Sequence, residues 1–157
     1  MKTLKSLLIA LVMVSMGAVQ AQVKTSYSLT LEGAKKIMKA ATDYAKANNA
    51  PGAAIAITDA GGHVILLERL TGTFPAASEV SIGKARTSAT FTFESKKLED
   101  AIIGGRTSLI TVGHNMLRGG IPIKYNGQVV GGIGVSGAAS ADQDVEIAKA
   151  GAAVKFD

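Results

Sequence analysis

Leu31, Ala34, Met38, Ala41 and Ala45 recur at three- and four-residue spacing, and Ile37 and Tyr44 widen the same stripe. That is the pattern of a helix with one face turned to a core. Thr30 stands where an N-cap is needed, so the spacing predicts a helix over 30–48. Asn48-Asn49-Ala50-Pro51-Gly52 ends it, since asparagine tolerates a left-handed C-terminal residue and proline cannot continue a helix. The pattern then changes to short continuous apolar runs at 53–58 and 63–67. They are joined by Asp59-Ala60-Gly61-Gly62, which predicts a hairpin.

Helical spacing returns over 78–93, where Ile82, Ala85, Ala89 and Phe93 share a face that excludes Lys84, Thr87 and Ser88. Lys84 and Arg86 are thus expected to point away from the core. A short helix over 96–103 stops at Gly104-Gly105, and 107–112 reads equally as a short strand or a buried loop. Gly119-Gly120 opens a second hairpin, 121–125 and 128–135, with Asn126-Gly127 as a two-residue type I′ turn. Over 141–154, Val145, Ala148 and Ala152 suit a helix lying on a sheet. The order is helix, hairpin, helices, hairpin, helix, without repeats or heptads. Hairpins in place of crossovers predict a single α/β (α+β) domain with an antiparallel sheet of about five strands and flanking helices.

The first 21 residues read differently. Lys2 and Lys5 precede the apolar run 7–14, and Val19 and Ala21 occupy the −3 and −1 places of a small-residue cleavage site before Gln22. Residues 1–21 are expected to be a signal peptide and 22–157 the folded domain, exported to the periplasm or beyond. Cleavage removes two lysines and no acid from 17 basic and 12 acidic residues, so the net charge falls from +5 to +3 and 136 residues remain. No basic run exceeds two residues and only 4% of residues are aromatic, which argues against nucleic acid as a partner. No membrane span is expected after cleavage. The chain has no cysteine, which excludes zinc fingers, iron–sulfur clusters, a thiolate nucleophile and covalently attached c-type haem. With His63 and His114 as its only histidines, an all-histidine metal cage within one subunit is excluded too.

Gly132-Ile133-Gly134-Val135-Ser136-Gly137 matches G-x-G-x-x-G letter for letter. The dinucleotide fingerprint needs those glycines between a strand and a helix of a βαβ unit. Here most of them fall within the second strand of a hairpin, so they are expected to permit close backbone approach by a helix, a ligand or a neighbouring subunit. Ser136 is not in a G-x-S-x-G elbow, which removes a hydrolase triad. Asp142 and Asp144 lie near a helix start, where acids favour the positive end of the dipole. His63 follows a Gly-Gly turn at a strand end and can reach a cleft or interface as a ligand, or be an ordinary surface histidine. His114, in the polar loop Gly113-His114-Asn115, is a weaker candidate. Lys84 and Arg86 can hold carboxylates such as haem propionates, or form a solvated face.

Four ordered blocks carry a family resemblance: 57–64 (Ile-Thr-Asp-Ala-Gly-Gly-His-Val), Lys84-Ala85-Arg86-Thr87, Gly119-Gly120-Ile121-Pro122-Ile123, and 127–137 followed by Gln143-Asp144. Together they resemble the GlcG/HbpS family, also called DUF336 or the haem-degrading domain, which is related to the C-terminal domain of PduO-type corrinoid adenosyltransferases. The resemblance implies a small antiparallel α/β domain that forms homo-oligomers, often octamers, and in some secreted members binds or degrades haem with release of iron. Residue by residue, it implies His63 as axial ligand of haem iron, Lys84 and Arg86 as anion contacts, and Gly119, Gly120 and Pro122 as pocket wall. The chain departs from the family in lacking a Glu-x-x-Glu pair, a pattern associated with iron binding in secreted members.

Three functional readings follow. One is an exported haem-binding protein, with haem degradation as a further step. A second is an enzyme or binding protein for a small oxygenated carboxylic acid, clamped by Lys84 or Arg86 with His63 as acid or base. The third is a non-catalytic oligomeric assembly protein.

Overall fold

A computed structural model describes residues 22–156, so the expected signal peptide and its cleavage site lie outside the described residues. Helix α1 (Leu31–Ala47) is followed by strands β1 (Ala54–Asp59) and β2 (Val64–Arg69), helices α2 (Ala77–Phe91) and α3 (Lys96–Ile103), and a 3-10 helix (Thr107–Val112). Strands β3 (Gly120–Tyr125) and β4 (Gln128–Ser136) and helix α4 (Ala141–Ala152) complete the chain. The strands form one antiparallel sheet in the order β2-β1-β4-β3.

The two faces of that sheet differ in side-chain size. Ile55 and Ile57 of β1 lie opposite Val135 and Ile133 of β4, and Ile133 in turn lies opposite Ile121 of β3. These aliphatics, with Ile37 of α1 and Ile147 of α4, make the main core. On the other face Ala54, Ala56 and Thr58 pair with Ser136, Gly134 and Gly132. Helix α2 rests directly on that small-residue surface. A Cβ on Gly132, Gly134 or Gly120 would run into the carbonyl of Ala85, Ser81 or Lys84 respectively, so glycine lets the helix backbone approach the strands closely.

This contact corrects the expected orientation of the helix. Ser81, Lys84, Thr87 and Ser88 are buried together with Ala85 and Ala89, while Ile82 is only half-buried. A helix seated on glycine leaves no room for large side chains beneath it, and small ones fill the gap. Their hydroxyls are satisfied locally, Ser88 donating to the Ala85 carbonyl at 2.9 Å and Thr87 to that of Gly83 at 2.9 Å.

The sheet has four strands, not about five. Residues 107–112 form neither a strand nor a buried loop. They wind as a 3-10 helix in which Leu109 alone is buried, packed in a small cluster with Leu98 and Met116. Ile110 and Val112 are left exposed. At the β3–β4 turn, Asn126 and Gly127 both have positive φ, 47° and 77°, as the Asn-Gly pair requires.

Candidate functional site

The turn from β1 to β2 is built around one carboxylate. Asp59 Oδ1 accepts the backbone N–H of His63 at 2.9 Å and lies 3.3 Å from His63 Nδ1. Gly62 takes a φ of 84°, which a side chain would strain, and a Cβ there would lie 2.6 Å from Arg86 Cγ. Arg86 Nε donates to the Gly62 carbonyl at 3.2 Å. The structure therefore brings His63 and Arg86 together, joined through the residue that precedes the histidine.

Slight burial pushes the Asp59 carboxyl up, but the His63 N–H, the imidazole charge and the Gly61 N–H outweigh it and hold the group below its ordinary value. A carboxylate beside Nδ1 favours the tautomer with its proton there, leaving the Nε2 lone pair free to ligate. The imidazole is well placed to use it, because its side chain is 82% exposed. Val64, next in the chain, is also exposed.

Lys84 has another fate. It is 3% exposed, and its ammonium donates to Asp144 Oδ2 at 2.9 Å and to the Val135 carbonyl at 2.8 Å. Asp144 Oδ1 in turn accepts the Ala138 N–H at 3.0 Å. The lysine charge is thus matched inside the fold and is not presented to an anion in this chain. Gly119 seals the pair: with φ at 109° its Cα faces Lys84, and a Cβ would stand 3.0 Å from Nζ. Gly120 is fixed to Ser95 by bonds in both directions, at 2.9 and 3.0 Å. These two glycines line the ion pair, while Pro122 is half-buried and opens on a separate groove at the β3 edge.

His114 packs its ring edge-on against Phe91 at 5.2 Å between centroids, and its Nδ1 is buried without a partner. Among the described residues no group of three His, Cys, Asp or Glu side chains is placed to hold a metal ion, and no helix is long and apolar enough to cross a membrane.

Two carboxylates have roles that spacing alone does not disclose. Asp144 is the partner of Lys84 across 60 residues, whereas the α4 start is capped by Ser140, whose Oγ accepts the Gln143 N–H at 3.1 Å. Asp59 orients His63; its sequence signal is its place four residues before the histidine across a glycine turn.

Comparison with known proteins gives the wider frame. The family model for the haem-degrading protein HbpS-like matches residues 29–153. The GlcG protein of Escherichia coli K12 is 39% identical over 114 residues, covering 72% of this chain and 84% of its own. The crystal structure of a double mutant of Streptomyces reticuli HbpS superposes with a TM-score of 0.77 at 31% identity, over 90% of this chain and 97% of that one. A PduOC:haem complex superposes with a TM-score of 0.71 at 25% identity, over 81% and 94%.

Proposed function

This chain belongs to the HbpS-like family, and from that premise we propose that it binds haem, with His63 as the axial ligand of the iron. The observation that carries the reading is the Asp59–His63 pair, an exposed imidazole whose Nδ1 is held 3.3 Å from a carboxylate while Nε2 is left toward solvent. Arg86, exposed beside it, keeps its terminal N–H groups for a propionate while Nε holds the turn. Exposed Val64 offers the porphyrin apolar contact. The family match and the haem complex of the related PduOC domain support the same ligand.

Haem iron supplies oxygen or peroxide chemistry when a coordination position stays open, and degradation with release of iron is the further step of this proposal. Toward it the chain contributes the ligand, its orientation by Asp59 and an anion contact at Arg86. The carboxylic-acid reading keeps only Arg86 as a clamp, since Lys84 is spent on Asp144. We propose further that the chain is exported, on the layout of residues 1–21, and that copies assemble into a homo-oligomer.

Haemin titration followed in the Soret region tests the ligand. The wild type is expected to give a saturable shift, His63→Ala to lose it, and Asp59→Asn to weaken haemin binding about 10–100-fold, as loss of an orienting carboxylate does. An unchanged spectrum and affinity in His63→Ala removes His63 as ligand.

A further inference from the structure

At the edge of β3, one groove is lined by three lysines that neither the His63 turn nor the buried ion pair uses. Lys97 of α3, Lys124 of β3 and Lys149 of α4 line a groove of about 610 Å3, floored by Phe93, Ile121 and Pro122. Glu94 is the one carboxylate among its described lining residues. It lies 3.8 Å from Lys149, both side chains substantially exposed, so the pair is loose. Lys97 Nζ hangs 5.5 Å from the Phe93 ring centroid. Three cations against one anion leave two positive charges uncompensated over an apolar floor.

The strand edge narrows the class of ligand. Gly120 spends both its N–H and its carbonyl outward on Ser95, and Pro122, two residues on, faces the same way without an N–H to offer. A register shift follows between Ile123 and Lys124. Proline, lysine and a bulge on an edge strand oppose addition of a further strand, which disfavours an extended peptide. The remaining fit is a small molecule that carries two negative charges and a carbon body.

We propose that this groove binds a small organic dianion, its charged heads on Lys97, Lys124 and Lys149 and its carbon body on Phe93, Ile121 and Pro122. Carboxylate and phosphate heads share this chemistry, and bound Glu94 is the internal competitor for Lys149. The site is independent of the haem reading, because His63 lies on the β1–β2 turn outside the groove.

Amide NMR of the protein at low salt, titrated separately with adipate, glycerol 3-phosphate, n-hexanoate and inorganic phosphate, tests it. A dianion is expected to give saturable shifts at 92–97, 121, 123, 124 and 149–153, and whichever of adipate or glycerol 3-phosphate binds tighter assigns the head group. Lys97→Gln with Lys124→Gln is expected to weaken binding about tenfold, Glu94→Gln to tighten it, and His63→Ala to leave it unchanged. The proposal fails if no probe saturates, if hexanoate or inorganic phosphate binds as tightly as the organic dianions, or if the lysine variant is unaffected. It fails as a separate site if haemin competes with adipate for those shifts.

Discussion

Lys84 and Arg86 stand two residues apart on α2, about 200° around the helix axis, and their environments differ accordingly. Arg86 is exposed beside His63, while Lys84 passes under the helix to Asp144. Removing one partner of a buried pair leaves the other charged in a medium that solvates it poorly. Lys84→Met is therefore expected to lower the unfolding free energy by about 3–5 kcal/mol in denaturant titration, and adding Asp144→Leu to recover part of that loss. Arg86→Met, by contrast, is expected to change stability by about 1 kcal/mol or less. Equal effects of the two single variants would refute the assignment of Lys84 to the interior. The pairing was not legible locally, because its two halves lie 60 residues apart and a lysine next to an alanine-rich stripe reads as a solvated position.

Among the elements, both α1 and α2 were legible as helices, but only the buried face of α1 was; that of α2 was not. Ala34, Ile37, Met38, Ala41 and Ala45 of the α1 stripe are buried as their spacing predicts, because they face an aliphatic surface, whereas Leu31 at the first turn is exposed. Beneath α2 the sheet offers glycine, so burial there follows smallness instead of hydrophobicity, and Ser81 and Ser88 go inside. The glycines of β4 do serve close approach by a helix, one of the uses their strand position suggested. Gly134→Ala places a methyl group against the backbone of Ser81 and Ala85 and is expected to cost about 1–3 kcal/mol or more. Gly127→Ala, at a hairpin tip with nothing within 4 Å, meets only the penalty of positive φ, about 1–2 kcal/mol. Thermal melts of the two variants side by side check the difference. Closely matched midpoints would mean that α2 shifts away from β4 without cost.

At the scale of the whole molecule, one stretch carries much of the exposed large apolar surface: Ile103 is 74% and Ile110 68% exposed, with Val112 and Leu117 beside them in sequence. Such surface is commonly covered by a partner. The protein is expected to sediment as an oligomer, and Ile110→Lys to shift it toward the monomer; a wild type that sediments as a monomer at tens of micromolar contradicts the assembly. The sequence by itself determined the local pieces: most of the α1 stripe with its Thr30 cap, the Asn126-Gly127 hairpin and the glycine turn between β1 and β2, each set by residues near one another in the chain, where propensity and spacing act directly. It also carried the family, through four ordered blocks spread over residues 57–144. Only the tertiary structure decided that Lys84 is an internal counterion, that Pro122 opens away from His63, and that three lysines from three elements share one groove. Those facts depend on which strands become neighbours and how closely a helix can approach them, and no window of the chain contains that information.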